Sequence, residues 1–275
     1  MKFITKAGMI IIYSKDEFCP KHILECGQIF SYKFDGNNYV VFSNKYMAKI
    51  VEDKDCYQII TDNPDYFVNF FDLNTNYLEI KNKLLNNYPY LQKSLDFGGG
   101  IRILKQDIFE TIIGFIVSAN NNIKRIQKIL FAIREKYGKN MGEYYAFPTI
   151  EQLKQASIDD FKSLGAGYRA KYLYEVVRQL DGVDFDALKN MPTHELNKYL
   201  LSLMGVGQKV ADCIMLFAFA KTDVFPVDTW IEKVYCTYFD EETDRKVIRN
   251  NLLTTFGNLA GYAQQYLFYS QRELN

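Results

Sequence analysis

One segment of the chain combines residues that could contact a phosphate group. An apolar helical pattern ends at Leu203, Gly205-Val206-Gly207 forms a turn, and a second apolar pattern starts at Gln208. A hairpin this tight requires positive φ and close backbone approach, which glycine allows. The N–H groups at the start of the second helix lie at the positive end of its dipole, where a phosphate binds readily. A Gly-x-Gly turn that serves only helix packing would look the same.

Lys209 lies in the first turn of this second helix, which is the unfavourable end for a cation. The positive helix end and partial burial would both favour the neutral amine, which is the form that a nucleophilic lysine needs. A lysine that points into solvent or toward a phosphate would explain the position equally well. The residue is therefore a candidate nucleophile.

A carboxylate that could serve this lysine follows an apolar run and a proline. Asp228 comes directly after Val224-Phe225-Pro226-Val227. Aspartate is a common N-cap, so its structural explanation is to start the helix that continues through Val234. The same carboxylate could face the lysine amine and stabilise positive charge while the amine attacks a sugar carbon. Lys209 and Asp228 thus form a candidate catalytic pair.

The elements that must position this pair begin with strands. Runs at 39–42, 47–51 and 56–60 are β-prone, and turn-forming stretches at 34–38 and 52–55 separate them. This spacing suits an antiparallel meander. We expect a sheet within the first hundred residues.

After Gly98-Gly99-Gly100 the apolar residues repeat with a helical period of about 3.6. Pro192-Thr193 indicates the start of a helix that runs through Leu203. We predict an α+β fold, with an antiparallel sheet domain and flanking helices over 1–97 and a mostly α-helical region over 98–275. A helix-hairpin-helix is expected at about 193–218.

Length and composition indicate a globular protein. The chain has 275 residues, of which 48% are hydrophobic and 24% charged, so a disordered chain, collagen or a coiled coil fits poorly. The apolar run at 9–13 is too short to span a membrane, and we expect no signal peptide. Five cysteines without a Cys-x-x-Cys pair favour a reducing cytosol over disulfides or a zinc site. We predict a cytoplasmic protein, nucleoid-associated in a bacterium.

The net charge of zero, with 33 basic and 33 acidic residues, argues at first against a nucleic acid partner. The charges are unevenly distributed, however. Residues 51–80 carry seven acidic side chains against Lys54 alone, and residues 101–140 carry eight basic side chains against three acidic ones. The basic segment could attract a polyanion, although a solvated helix face would give the same count.

Several motifs in a fixed order make the chain similar to a known family. The hairpin at 205–212 (GVGQKVAD) with Pro226-Val227-Asp228 resembles the signature of the helix-hairpin-helix DNA glycosylases. The motifs at 118–123 (SANNNI) and 164–170 (LGAGYRA) resemble those of the 8-oxoguanine DNA glycosylase family. The similarity extends from Cys26-Gly27-Gln28 to Phe268, which is nearly the whole chain.

The resemblance implies a catalytic role for each member of the pair. In this family the hairpin lysine attacks C1′ of the damaged nucleoside and expels the base, and the resulting Schiff base permits β-elimination at the abasic site. Lys209 would take this role. Asp228 would stabilise the positive charge that develops on the sugar, and Asp212 would be structural.

The resemblance also implies a pocket for a flipped base. Gly27 would accept a hydrogen bond from N7–H, which 8-oxoguanine has and guanine lacks. Cys213 and Phe268 would sandwich the base, and Gln264 would read its Watson–Crick edge. Cys213 and Phe268 also lie on apolar helical stretches, where most such residues belong to the core.

On the opposite strand, the family holds the orphaned cytosine with an asparagine and two arginines, which match Asn120, Arg125 and Arg169. An aromatic wedge matches Tyr168. The arginines could otherwise be surface cations. The implied partner is double-stranded DNA with 8-oxoguanine opposite cytosine, bound by a monomer without contact to a membrane.

Two positions depart from the family pattern. Eukaryotic members have a histidine where this chain has Trp230, and an acidic residue where it has Gln271. The resemblance implies no redox cofactor and no catalytic metal, while a structural ion held by hairpin carbonyls stays open.

Other functions share parts of this pattern. A non-enzymatic helix-hairpin-helix module would need neither Lys209 with Asp228 nor a base pocket. Glycosylases with an iron–sulfur cluster need four closely spaced C-terminal cysteines, whereas the last cysteine here is Cys236. Glycosylases for alkylated bases share the hairpin and the aspartate but generally lack the lysine. An additional interaction role for the sheet domain also stays open.

Overall fold

The computed structural model describes residues 1–274 and begins with an antiparallel sheet. Its six strands are β1 Phe3–Lys6, β2 Met9–Ile12, β3 Tyr32–Phe34, β4 Tyr39–Ser43, β5 Tyr46–Glu52 and β6 Tyr57–Ile60. They lie in the order β1-β2-β6-β5-β4-β3. The predicted meander corresponds to β4, β5 and β6. The hairpin of β1 and β2 extends the sheet through the pairing of Ile10 with Ile59.

Helices make up most of the remaining chain and confirm the predicted α+β class. Within the described residues they are α1 Pro20–Leu24, α2 Pro64–Phe70, α3 Tyr77–Asn87, α4 Gln92–Phe97, α5 Ile108–Ser118, α6 Ile123–Tyr137, α7 Ile150–Leu153, α8 Ile158–Ser163, α9 Arg169–Gln179, α10 Phe185–Asn190, α11 Thr193–Ser202, α12 Gln208–Ala218, α13 Thr229–Tyr238, α14 Arg245–Phe256 and α15 Ala260–Leu274. Side-chain N-caps fix several starts; Asp107 accepts a bond from the Glu110 N–H, and Asn122 from the Arg125 N–H.

Three clusters of buried apolar residues form the core. One lies under the sheet and includes Ile10 and Phe67. The second, here called the helical cluster, joins α5, α6, α9, α11 and α12. The third, here called the C-terminal cluster, packs Leu84 and Leu95 of α3 and α4 against α13 to α15. Helices from both sides of residue 98 therefore share one core, and a domain division at 97/98 stays a prediction.

A buried ion pair joins the sheet to the helices. Arg134 of α6 contacts the Glu110 carboxylate of α5, and both side chains are nearly inaccessible to solvent. The carboxylate also accepts hydrogen bonds from the Ser31 hydroxyl at 2.6 Å and the Asn44 N–H at 2.8 Å. Burial raises the pKa of Glu110 despite the opposing charge of Arg134. The network fixes the loops beside β3 and β4 against the helical region.

No helix within residues 1–274 is long and apolar enough to cross a membrane.

Replacing Arg134 by methionine should lower the free energy of unfolding by about 3–5 kcal/mol, because the Glu110 carboxylate would stay buried without its partner. The measurement is the urea midpoint. Adding Glu110→Gln to the same chain removes the uncompensated charge and should recover part of the loss. An unchanged midpoint for Arg134→Met would show that the ion pair does not hold the two regions together.

Candidate active site

The predicted hairpin is formed by α11, a turn at 203–207 and α12. Gly205 has φ +85, and a Cβ there would lie 2.8 Å from the Tyr172 side chain, so glycine is required on both grounds. Gly207, the N-cap of α12, has φ −95, and no atom lies within 4 Å of its would-be Cβ. The expectation of positive φ is therefore wrong for Gly207. Its exposed, open position leaves room for a group outside the chain to approach the N–H groups of α12.

Lys209 follows this turn and is half-buried beside an aromatic wall. Its ammonium lies 5.6 Å from the centroid of the Phe115 ring, which stacks on Phe217. Cys213 is one turn further along α12 and is buried. Burial raises the pKa of the Cys213 thiol to about 11, against the opposing charge of Lys209. Cys213 is thus a neutral thiol near pH 7, and the cation next to it is Lys209.

Asp228 is the N-cap of α13, as its structural explanation predicts. Its Oδ1 accepts the N–H groups of Trp230 and Ile231, both at 3.0 Å. Its Oδ2 accepts no hydrogen bond from the described residues. Val227, the residue before Asp228, lines one cavity together with Lys209. Lys209 and Asp228 form no direct ion pair among residues 1–274.

The rival carboxylate, Asp212, is neutralised by a partner that sequence reasoning missed. Asp212 is fully buried, and Arg249 of α14 binds both of its oxygens, at 2.6 and 2.7 Å. Gln208 also donates to Asp212 at 3.1 Å. A carboxylate engaged in this way links α12 to α14. It has no need of Lys209 as a counter-charge.

A cavity of about 510 Å³ opens in front of the hairpin. Its lining includes Gly207, Lys209, Val227 and the basic side chains of Arg245 and Lys246. The start of α12 and the basic start of α14 therefore line one cavity, in which Arg245 is paired with Glu232 at 2.6 Å.

The predicted pocket residues lie where the helical and C-terminal clusters adjoin. Cys213 belongs to the helical cluster, and Phe268 packs against the C-terminal cluster. A Cβ on Gly27, which has φ +84, would lie 3.2 Å from the Phe268 ring, so the turn and this ring touch. Gln264 precedes Phe268 by one turn of α15. Its Oε1 is buried and has no hydrogen-bond partner among residues 1–274, and an unpaired buried acceptor is costly unless a ligand satisfies it.

The two motifs assigned to the opposite base meet in space. Arg169 is buried, and its guanidinium donates to the carbonyls of Ala119 (2.9 Å) and Asn120 (2.8 Å). Arg125 donates to the Gly165 carbonyl at 3.1 Å and is otherwise exposed. Tyr168 is 57% exposed beside them. Asn120, Arg125 and Tyr168 are therefore accessible, whereas Arg169 braces the Asn120 turn from inside.

The two departures from the family pattern lie on helices that carry site residues. Trp230 is half-buried at the start of α13, and the Lys233 ammonium lies 4.7 Å from its ring centroid. Gln271 lies on α15, three residues after Phe268.

About half of the eight basic side chains at 101–140 are buried or ion-paired in the structure. Arg102 and Arg134 are buried, and Lys105 and Lys136 form ion pairs with acidic residues. The cations left exposed, without an ion pair to any residue of 1–274, are Lys124, Arg125, Lys128 and Lys139. They include the Arg125 of the opposite-base motif.

Within residues 1–274, no group of three or more His, Cys, Asp or Glu side chains could hold a metal ion.

The sheet, the helical hairpin and the Lys–Asp pair define a class of DNA repair proteins. Residues 113–256 match the model of the HhH-GPD superfamily of base excision DNA repair proteins. Residues 10–112 match the N-terminal domain of 8-oxoguanine DNA glycosylase.

Individual proteins agree with these two matches. The crystal structure of Clostridium acetobutylicum 8-oxoguanine glycosylase/lyase, in complex with DNA containing cytosine opposite 8-oxoguanine, is 38% identical and superposes with a TM-score of 0.93, covering 100% of this chain and 99% of that one. A probable N-glycosylase/DNA lyase from Methanothermobacter thermautotrophicus is 33% identical over 66% of this chain and 67% of its own length. An Arabidopsis thaliana N-glycosylase/DNA lyase is 31% identical over 62% of this chain and 52% of its own length. The chain belongs to the 8-oxoguanine DNA glycosylase family within the HhH-GPD superfamily.

The two hairpin glycines should respond differently to alanine. Gly205→Ala should lower the free energy of unfolding by about 2–4 kcal/mol, from left-handed strain and the overlap with Tyr172. Gly207→Ala should cost about 1 kcal/mol or less but weaken duplex binding, because its methyl group occupies the open approach to α12. Urea unfolding and fluorescence anisotropy with a labelled duplex measure the two effects. Equal effects of both variants on DNA binding would contradict this division of roles.

Proposed function

We propose that this protein is a bifunctional DNA glycosylase and abasic-site lyase that removes 8-oxoguanine from duplex DNA. The observation that carries the proposal is that Lys209 and Val227, the residue before Asp228, line one cavity, while Asp228 caps α13 through one carboxylate oxygen and forms no ion pair with Lys209 among residues 1–274. A lysine close to a carboxylate but not bound by it can act as a nucleophile while the carboxylate stabilises the charge on the sugar.

The reaction uses Lys209 twice. The neutral amine attacks C1′ of the flipped nucleotide, the N-glycosidic bond breaks, and its electron pair leaves with the base, which takes up the proton that the attacking nitrogen loses. The nitrogen lone pair then breaks the C1′–O4′ bond, O4′ takes up a proton, and a protonated Schiff base forms between Lys209 and C1′. Loss of a proton from C2′ expels the 3′-phosphate by β-elimination. Asp228 stabilises the positive charge that develops on the sugar as the base departs.

Base selection depends on Gly27 and on the residues assigned to enclose the base, Cys213, Gln264 and Phe268. Flipping the nucleotide costs a few kcal/mol, which base contacts must offset. The Gly27 carbonyl accepts N7–H of 8-oxoguanine, whereas guanine would set a lone pair against it, at a cost of roughly 1–3 kcal/mol. The buried, unpartnered Gln264 carbonyl accepts a donor of the Watson–Crick edge. Phe268 and Cys213 enclose the ring.

The opposite strand is read by Asn120, Arg125 and Arg169 around the estranged cytosine, with Tyr168 as the wedge. The exposure of Tyr168 and Arg125 supports this role. For Arg169 to reach a base, it must exchange its bonds to the Ala119 and Asn120 carbonyls for contacts with DNA. The protein acts as a monomer. It is located in the cytoplasm, and in a bacterium at the nucleoid. The reaction needs no cofactor beyond the protein's own side chains.

Borohydride trapping on a duplex with 8-oxoguanine opposite cytosine tests this function. The native protein should form a covalent adduct with the DNA, because borohydride reduces the Schiff base. Lys209→Gln removes the amine at nearly the same side-chain length and should abolish the adduct. No adduct with the native protein, or an undiminished one with Lys209→Gln, would refute the mechanism.

Asp228→Asn separates the two roles of this residue. Asparagine caps helices about as well as aspartate, so the free energy of unfolding should stay within about 0.5 kcal/mol of the native value. Single-turnover release of 8-oxoguanine should fall at least roughly a hundredfold, because the stabilising charge is lost. If release stays at the native rate, Asp228 is an N-cap and nothing more.

A further inference from the structure

The four backbone carbonyls of the turn at 25–28, which carries Gly27, differ in their hydrogen bonding. Three of the four accept a side-chain hydrogen bond: Glu25 from Arg272, Cys26 from Gln265 at 3.0 Å and Gln28 from Gln106 at 2.7 Å. The Gly27 carbonyl accepts no hydrogen bond from residues 1–274. Buried and half-buried carbonyls are nearly always paired, so the Gly27 carbonyl is an exception, and Gly27 is the residue assigned to N7–H of the base.

Two of these three donors come from the helix that also lines the pocket. Gln265 and Arg272 lie on α15, and so do Gln264 and Phe268. Gln264 and Phe268 are one helical turn apart, and Gln265 and Arg272 are two turns apart on the adjoining face. One helix therefore carries both the groups proposed to touch the base and the groups that bind the turn.

Arg272 also lies beside both the turn at 25–28 and the Phe268 ring. Its guanidinium carbon lies 5.4 Å from the Phe268 ring centroid. Its Nη1 is 3.1 Å from the place where a Cβ on Gly27 would be. Gln265 is buried, and its amide donates to the Cys26 carbonyl. Among residues 1–274, neither side chain forms a hydrogen bond or ion pair with Lys209, Asp228 or Cys213.

We propose that Gln265 and Arg272 are positioning residues for lesion recognition, which bind the carbonyls preceding Gly27 so that the Gly27 carbonyl alone points to N7–H of the flipped base. This inference rests on the proposed function. Turning the peptide after Gly27 would cost the discriminating hydrogen bond, and these two donors hold the turn that carries it. The Schiff-base chemistry of Lys209 on a sugar that has already lost its base does not need the turn.

The test compares two substrates for each variant. Gln265→Met and Arg272→Met keep the approximate size of the side chains and remove the donors, while Arg272→Lys keeps a donor. Gln155→Met, at an exposed position outside the site, is the matched control. One duplex carries 8-oxoguanine opposite cytosine, and the other a preformed abasic site opposite cytosine. Base release and strand cleavage are measured in single turnovers.

Each methionine variant should release 8-oxoguanine roughly three- to tenfold more slowly, as expected for the loss of one hydrogen bond. Cleavage at the preformed abasic site should keep the native rate, which a general loss of folding would not allow. Arg272→Lys should recover part of the base-release rate, and Gln155→Met should change neither activity.

The possible failures are distinguishable. If the native protein does not release 8-oxoguanine, the proposed function is wrong, and this inference falls with it. If the native protein is active but the methionine variants lose both activities in proportion, the two residues only stabilise the fold. Native rates on both substrates would show that the Gly27 turn needs neither donor.

Discussion

The carboxylate of Asp228 accepts two backbone N–H groups at the start of α13, and the placement of the candidate reaction depends on this interaction. The positive end of a helix favours a negative charge, and both bonds end on one carboxylate oxygen, Oδ1. Lys209 and Asp228 form no ion pair among residues 1–274. Asp212, the second carboxylate near the lysine, is instead bound by Arg249 through both of its oxygens. Among residues 1–274, the Asp228 carboxylate therefore has no cationic partner, whereas the Asp212 carboxylate is paired with Arg249.

The rest of the fold brings distant segments to this pair. The Glu110–Arg134 ion pair fixes the sheet to the helical region, and the C-terminal cluster packs α3 and α4 against α13 to α15. The turn that carries Gly27 is held against α15, which also carries the predicted pocket residues Gln264 and Phe268. Because the predicted pocket residues belong to two core clusters, neither the sheet region nor the hairpin could bring them together alone.

Features that depend on neighbouring residues could be predicted from the sequence. The strands β4 to β6, the hairpin of α11 and α12, and the N-cap at Asp228 follow from alternation, glycine spacing and capping chemistry. The strands β1 to β3 were missed; the run at 9–13 that contains β2 is continuously apolar and shows no alternation of its own. Charge counts also failed to show that Arg102 and Arg134 of the basic segment are buried.

The contacts that support the site could not be predicted, because their partners are far apart in the chain. Arg249 lies 37 residues from Asp212, and Gln265 lies 239 residues from Cys26. The positive φ expected of Gly207 was wrong because the chain completes its turn at Gly205 and enters α12 in an extended conformation. Family motifs predict residues that would face a ligand, whereas the side chains that contact those residues became visible only in three dimensions.

The proposed mechanism requires that one particular amine, that of Lys209, forms the covalent bond to DNA. Mass spectrometric sequencing of peptides from the borohydride-reduced complex locates that bond directly. If Lys209 forms the Schiff base, the peptide containing Lys209 should carry a deoxyribose-derived mass addition at the Lys209 side chain. An addition at the N-terminal amine or at any other lysine would contradict it.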